Sequence, residues 1–155
     1  MWIGTRLRLF LAGWRPNRNY WDQLKLPTSL TPFPEARRVL AEFGGLQFGS
    51  SNDSVTLDPS LGEEVAEEIR AYEALLRVRL YPVGVMDHQD RHYLLVDERG
   101  IVYTLIDELK PLASSFRRAV EYLIRQDASR REIEEDLQTV GLVGKAWRLI
   151  DVDGR

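Results

Sequence analysis

Leu80-Tyr81-Pro82-Val83-Gly84-Val85, then His92-Tyr93-Leu94-Leu95-Val96, then Ile101-Val102-Tyr103-Thr104-Leu105 are three short apolar runs in the middle of the chain. Each is rich in branched and aromatic residues and bounded by polar ones, which is the pattern of β-strands. The first carries Pro82, a point of interruption. The second and third are joined by Asp97-Glu98-Arg99-Gly100. A loop of that length commonly uses a type I turn followed by a residue at positive φ, and Gly100 fits the last slot. Tyr93-Leu94-Leu95-Val96 is apolar on both faces, so this strand is central or covered on both sides. A hairpin with such a strand makes the sheet antiparallel.

Working outward, Ser60-Leu61-Gly62-Glu63 has the spacing of a capping box, and the helix it opens puts Val65, Ile69, Tyr72 and Leu76 on one face. Before it, Leu46-Gln47-Phe48 and Val55-Thr56-Leu57 read as short strands around the turn-rich Gly49–Asp53. A helix from Pro32–Pro34 buries Ala36, Val39, Leu40 and Phe43 and stops at Gly44-Gly45, with a glycine at positive φ. Ile3, Leu7, Phe10 and Trp14 mark the apolar face of a first helix, with Arg6 and Arg8 off it. Trp21–Leu26 is a short element in an otherwise irregular connection. After the hairpin, Phe116, Val120 and Leu123 face inward from a further helix, and Ser129-Arg130-Arg131-Glu132 caps a short acidic one. Trp147, Leu149 and Ile150 are expected in a last strand or a docked tail. The order of helices, strands, helix, strands and helices gives an α+β fold, a mostly antiparallel sheet flanked by helices.

A chain of 155 residues is the size of one domain, and 44% hydrophobic with 29% charged residues is the composition of an ordinary globular one. There is no cysteine, which excludes disulfides, zinc ribbons, iron–sulfur clusters and thiol nucleophiles. The expected compartment is the cytoplasm, and the mature chain is expected to begin near Met1, since Leu9–Ala12 is too short for a signal-peptide core. No apolar run is long enough for a membrane span. A net charge of −3 argues against a nucleic-acid partner.

Five stretches then matter for their wording. They are Ala12-Gly13-Trp14-Arg15-Pro16-Asn17-Arg18, Leu40-Ala41-Glu42-Phe43-Gly44-Gly45-Leu46, Asp58-Pro59 with Leu80-Tyr81-Pro82-Val83-Gly84, Leu94 through Tyr103, and Ala119 through Ile124. In this order the set resembles the third subfamily of the SUKH superfamily, related to the Smi/Knr proteins, over about Leu7 to Gln126. Residues 1–126 are accordingly expected to form a SUKH-like domain, with 127–155 as a helical extension packed on it. The resemblance implies an immunity protein that binds a cognate bacterial toxin, a nuclease or deaminase, and neutralises it by occlusion. It implies no catalytic residue and no cofactor. The alternative it allows is a cytoplasmic protein-interaction adaptor of the Smi/Knr type.

The residues suggest one enzymatic alternative, a metal-dependent hydrolase. On an extended strand His88, Asp90 and His92 would share a face and offer two imidazoles and a carboxylate. Their spacing matches no metallohydrolase motif, and a polar hairpin loop between apolar strands is the plainer reading. No nucleophile elbow or phosphate-binding loop is present, and Asp97-Glu98 reads as turn chemistry.

Charge is unevenly spread. Residues 1–38 hold seven basic and two acidic side chains, a net +5. Between Asp53 and Glu73 seven acids face only Arg70, a net −6. Asp53, Asp58, Glu63, Glu64, Glu67 and Glu68 are therefore the candidate partner-binding residues, because an acidic face complements the cationic site of a toxin that acts on nucleic acid.

Overall fold

The computed structural model describes residues 1–142. One six-stranded antiparallel sheet runs in sequence order, β1 (Gln47–Gly49), β2 (Asp53–Thr56), β3 (Leu80–His88), β4 (Asp90–Asp97), β5 (Val102–Leu105) and β6 (Leu109–Ala113). Five α-helices accompany it: α1 (Ile3–Leu11), α2 (Pro34–Phe43), α3 (Ala66–Leu76), α4 (Phe116–Arg125) and α5 (Arg130–Gln138). The α+β class read from the strand and helix pattern is the class observed.

The apolar run at Leu94-Leu95-Val96 explains the layering. Successive side chains of a strand point to opposite faces. Leu94 and Val96 enter a large core with α2, α4 and Leu9 of α1, whereas Leu95 enters a second core with Val65, Ile69, Tyr103 and Leu109. All three are fully buried, as a central strand covered on both sides requires. Pro82 does not break β3. Pro82 keeps its place opposite Leu95, and the register shifts just after it, with Val83 the extra residue of a bulge before Gly84 meets Leu94.

The α2 stop forms as its sequence demands. Ala36, Val39, Leu40 and Phe43 are buried, the helix ends at Phe43, and Gly45 takes φ +78° before the chain enters β1. A Cβ on Gly45 would lie 2.3 Å from the Tyr20 ring, so only glycine fits both the conformation and the space. Gly100 closes the β4–β5 turn at φ +94°, with its N–H donating to the Asp97 carbonyl at 3.0 Å.

Four expectations need correction. First, Ile3, Leu7 and Phe10 do not face the core. Thr5 and Leu9 are the buried residues of α1, and Ile3 remains 82% exposed. The helix ends at Leu11, so Trp14 lies beyond it and is buried separately. Second, the Ser60–Glu63 capping box is absent. Pro59–Val65 is a 3-10 turn, capped by Asp58, whose Oδ1 accepts from the Ser60 N–H at 2.9 Å and from its hydroxyl at 2.6 Å. Pro59 at the first position fixes the entry two residues earlier than the box would. Third, the polar segment around His88 and His92 is not a loop. β3 and β4 pair to their ends, and Gln89 alone turns the chain at φ +51°. Fourth, the hairpin does not lead straight into a helix: β6 intervenes. It carries Pro111, which is tolerated because β6 is an edge strand.

At the second acidic helix, Ser129 accepts from the Glu132 N–H at 3.1 Å, while the Glu132 carboxylate turns to Arg125 at 2.9 Å instead of closing the box. Asp136 of α5 accepts from the Ser114 N–H at 2.7 Å and its hydroxyl at 2.6 Å, and Leu137 is fully buried. Trp147, Leu149 and Ile150 lie outside the described residues.

Candidate partner-binding surface

The six acidic candidates come from three elements and divide into two groups. Three are held by neighbours. Asp53 opens β2 and pairs with the His88 ring across the β2–β3 ladder. Asp58 caps the 3-10 turn. Glu63 accepts from Thr28 Oγ1 at 3.2 Å, from the Ser29 N–H at 3.3 Å and from the Ser29 hydroxyl. The Ser29 hydroxyl, with smaller contributions from its N–H and from Thr28, holds the Glu63 carboxyl below the usual range. These residues tie the Thr28–Ser29 segment and the strand ends to the sheet.

Glu64, Glu67 and Glu68 are the exposed group. Glu64 accepts from the Tyr93 hydroxyl and stands 3.7 Å from the Arg91 guanidinium. Glu68 adds its charge to the same tyrosine. Burial and then the Glu64 bond push the Tyr93 hydroxyl up to about 12, so it stays a donor at any neutral pH. Glu67 and Glu68 make no ion pair or hydrogen bond among the described residues. Ile69 lies buried beneath them and orients both outward. The structure thus brings Glu64, Glu68, Tyr93 and Arg91 into one polar patch, with Glu67 beside it. Asp58 and Glu63 serve the turn instead.

His88 and Asp90 face one another at the hairpin end, and His92 pairs with Met86. Among the described residues no group of three or more histidines and carboxylates is placed to hold a metal ion. Asp97 is fully buried and accepts from the Arg99 and Ile101 N–H groups at 2.8 and 3.0 Å, from the Tyr103 hydroxyl at 3.0 Å and from the Arg99 guanidinium at 2.7 Å. That carboxylate is spent on the turn.

The surface feature missed from the sequence is apolar. Trp2, Ile3, Leu7, Phe10 and Leu11 are all exposed on α1. The sequence carries the signal, since Ile3, Leu7 and Phe10 form one face, but periodicity does not say whether a face points to core or solvent. Thr5 and Leu9 on the other side are the buried residues, so the helix packs with that second face inward.

Helices on both sides of one antiparallel sheet, and charged side chains gathered on its outer surfaces, define an α+β domain that presents surfaces to other molecules. The chain belongs to the SUKH-3 immunity protein family, whose family model matches residues 5–126. The match ends just after α4 and covers the whole sheet. No curated protein and no solved structure matches the chain. Among the described residues no helix is long and apolar enough to cross a membrane.

Proposed function

We propose that this immunity protein binds a cognate bacterial toxin, a nuclease or deaminase, and neutralises it by covering its active site in the cytoplasm of the producing cell. The observation that carries this reading is the display of Glu64, Glu67 and Glu68 on the outer side of α3 and the turn before it, above a buried Ile69. A toxin that handles nucleic acid has a cationic site, and three outward carboxylates without a full set of internal partners complement it. Asp53 lies outside this patch, on the face of β2 that it shares with Val55. Asp58 and Glu63 contribute by fixing the turn that carries Glu64. Tight occlusion requires an interface of about 1,200–2,000 Å² with a few anchoring side chains, so Tyr93 beside Glu64 is the expected aromatic contact.

The test uses the toxin encoded beside this gene. Glu64→Gln/Glu67→Gln/Glu68→Gln should keep the fold, because all three side chains are exposed. Charges that steer encounter act mainly on the association rate and are screened over about 8 Å at physiological ionic strength. The expected result is an association rate about tenfold slower, with a flatter salt dependence. Equal rates and salt slopes for variant and wild type would place the interface elsewhere.

A further inference from the structure

Residues 3–11 form an amphipathic helix set on the domain with its richer apolar side outward. At 100° per residue, Ile3, Leu7, Phe10 and Leu11 make one stripe, opposite the buried Thr5 and Leu9. The Trp2 ring lies over Gly4, where an added Cβ would meet it at 2.4 Å, and so extends the stripe. Leu11 remains 77% exposed and Trp2 63%. Five adjacent large apolar side chains approach the largest patch a monomer normally exposes, about 300–600 Å².

The frame of this stripe is cationic. Arg6 flanks one side and makes no ion pair among the described residues, and Arg8 flanks the other, donating to the Ile124 carbonyl at 2.9 Å. Arg15 stacks over the Phe10 ring at 3.6 Å. No acidic residue occurs before Asp22. Beside Leu11 the stripe runs into an open groove of about 470 Å³ whose lining is apolar at Ala12, Phe48, Val55, Leu123 and Ile124 and acidic at Asp53, which pairs with the His88 ring.

We propose that the α1 stripe and the groove beside it dock an amphipathic helical segment of a protein partner, its apolar ridge flanked by carboxylates. The apolar ridge removes the stripe from water, and the carboxylates meet Arg6 and Arg8 on its two sides. A second copy of this chain does not fit, because it would set the same arginines against one another with no acid on either helix. A flat anionic lipid surface would leave the groove unfilled. Nine helical residues span about 14 Å, enough to hold two to three turns of a partner helix. This surface lies on the large-core side of the sheet, whereas α3 covers the other, so the inference stands apart from the toxin-binding surface proposed above.

The probe is a synthetic peptide of about 18 residues with leucines along one helical face and glutamates on both flanks. It is titrated into the full chain and read by fluorescence anisotropy against a peptide of shuffled order. The expected result is saturable binding of the amphipathic peptide alone. Leu7→Glu/Leu11→Glu should weaken it by at least about tenfold without lowering Tm, since both side chains are exposed. Arg6→Glu, a single exposed change, should weaken it with a reduced salt dependence. Equal binding of both peptides, or wild-type binding by the leucine and arginine variants, overturns the proposal. So does co-sedimentation of the wild type, but not the leucine variant, with phosphatidylglycerol vesicles, or a dimer that the leucine change abolishes.

Discussion

Asp97 shows how a single carboxylate is committed to structure. It is fully buried at the end of β4 and closes the turn by accepting from two backbone N–H groups, the Arg99 guanidinium and the Tyr103 hydroxyl. Burial, with the adjacent Asp97 charge, holds the Tyr103 hydroxyl above its ordinary range, so it remains a donor. Asp97→Ala would leave the buried Ile101 N–H and the tyrosine unpaired. The expected cost is about 3 kcal/mol in chemical denaturation, against little change for Glu98→Ala beside it. His88 and His92 are the contrasting case. His88 is exposed and, among the described residues, its ring pairs only with Asp53 at a strand end. His88→Ala/His92→Ala should therefore change stability by less than about 1 kcal/mol and leave toxin binding intact. A collapse of stability, or loss of a stoichiometric metal on this double change, would contradict that assignment.

Among the elements, α1 is tied to α4 by two polar links, Arg8 on the Ile124 carbonyl and Glu121 on the backbone at Trp2. The buried Glu121 carboxylate accepts from the Trp2 N–H at 3.0 Å and from Arg118 at 2.9 Å. Burial pushes its pKa up, but Arg118 and the Trp2 N–H outweigh burial and hold it below the usual carboxylate range. A carboxyl depressed by folding stabilises the protein above its unfolded value of about 4.3 and loses that contribution as pH falls through the folded value. Wild-type stability should fall over that acid window, while Glu121→Gln should be about 1–2 kcal/mol weaker at pH 7 and flatter below pH 4.3. Identical pH profiles would refute the role. Elements with two independent signals were legible: α2 had both a periodic face and a glycine stop, and the β4–β5 hairpin had both its apolar runs and Gly100. Three single signals mislead. The periodic face of α1 gave no direction, Pro111 hid an edge strand, and the Ser60 spacing lost to Asp58-Pro59. For the site, charge density marked the acidic segment, but only contacts separate the free Glu67 and Glu68 from Asp58 and Glu63, which are spent on turns.

For the whole molecule, one sheet in sequence order carries two cores and so two outer faces, an acidic one over α3 and an apolar, cationic one over α1. The family match from residue 5 to residue 126 covers both. The occlusion proposed above would use these faces as they stand on the six-stranded sheet. Occlusion of this kind would be stoichiometric, each molecule of inhibitor removing one molecule of toxin and no more. The direct measurement is the activity of the toxin encoded beside this gene, titrated with the purified chain at concentrations well above Kd. The account predicts a linear fall to zero activity at one equivalent, with a complex of both chains recovered by gel filtration. Full toxin activity in the presence of excess protein, or inactivation of many toxin molecules by one, would contradict it.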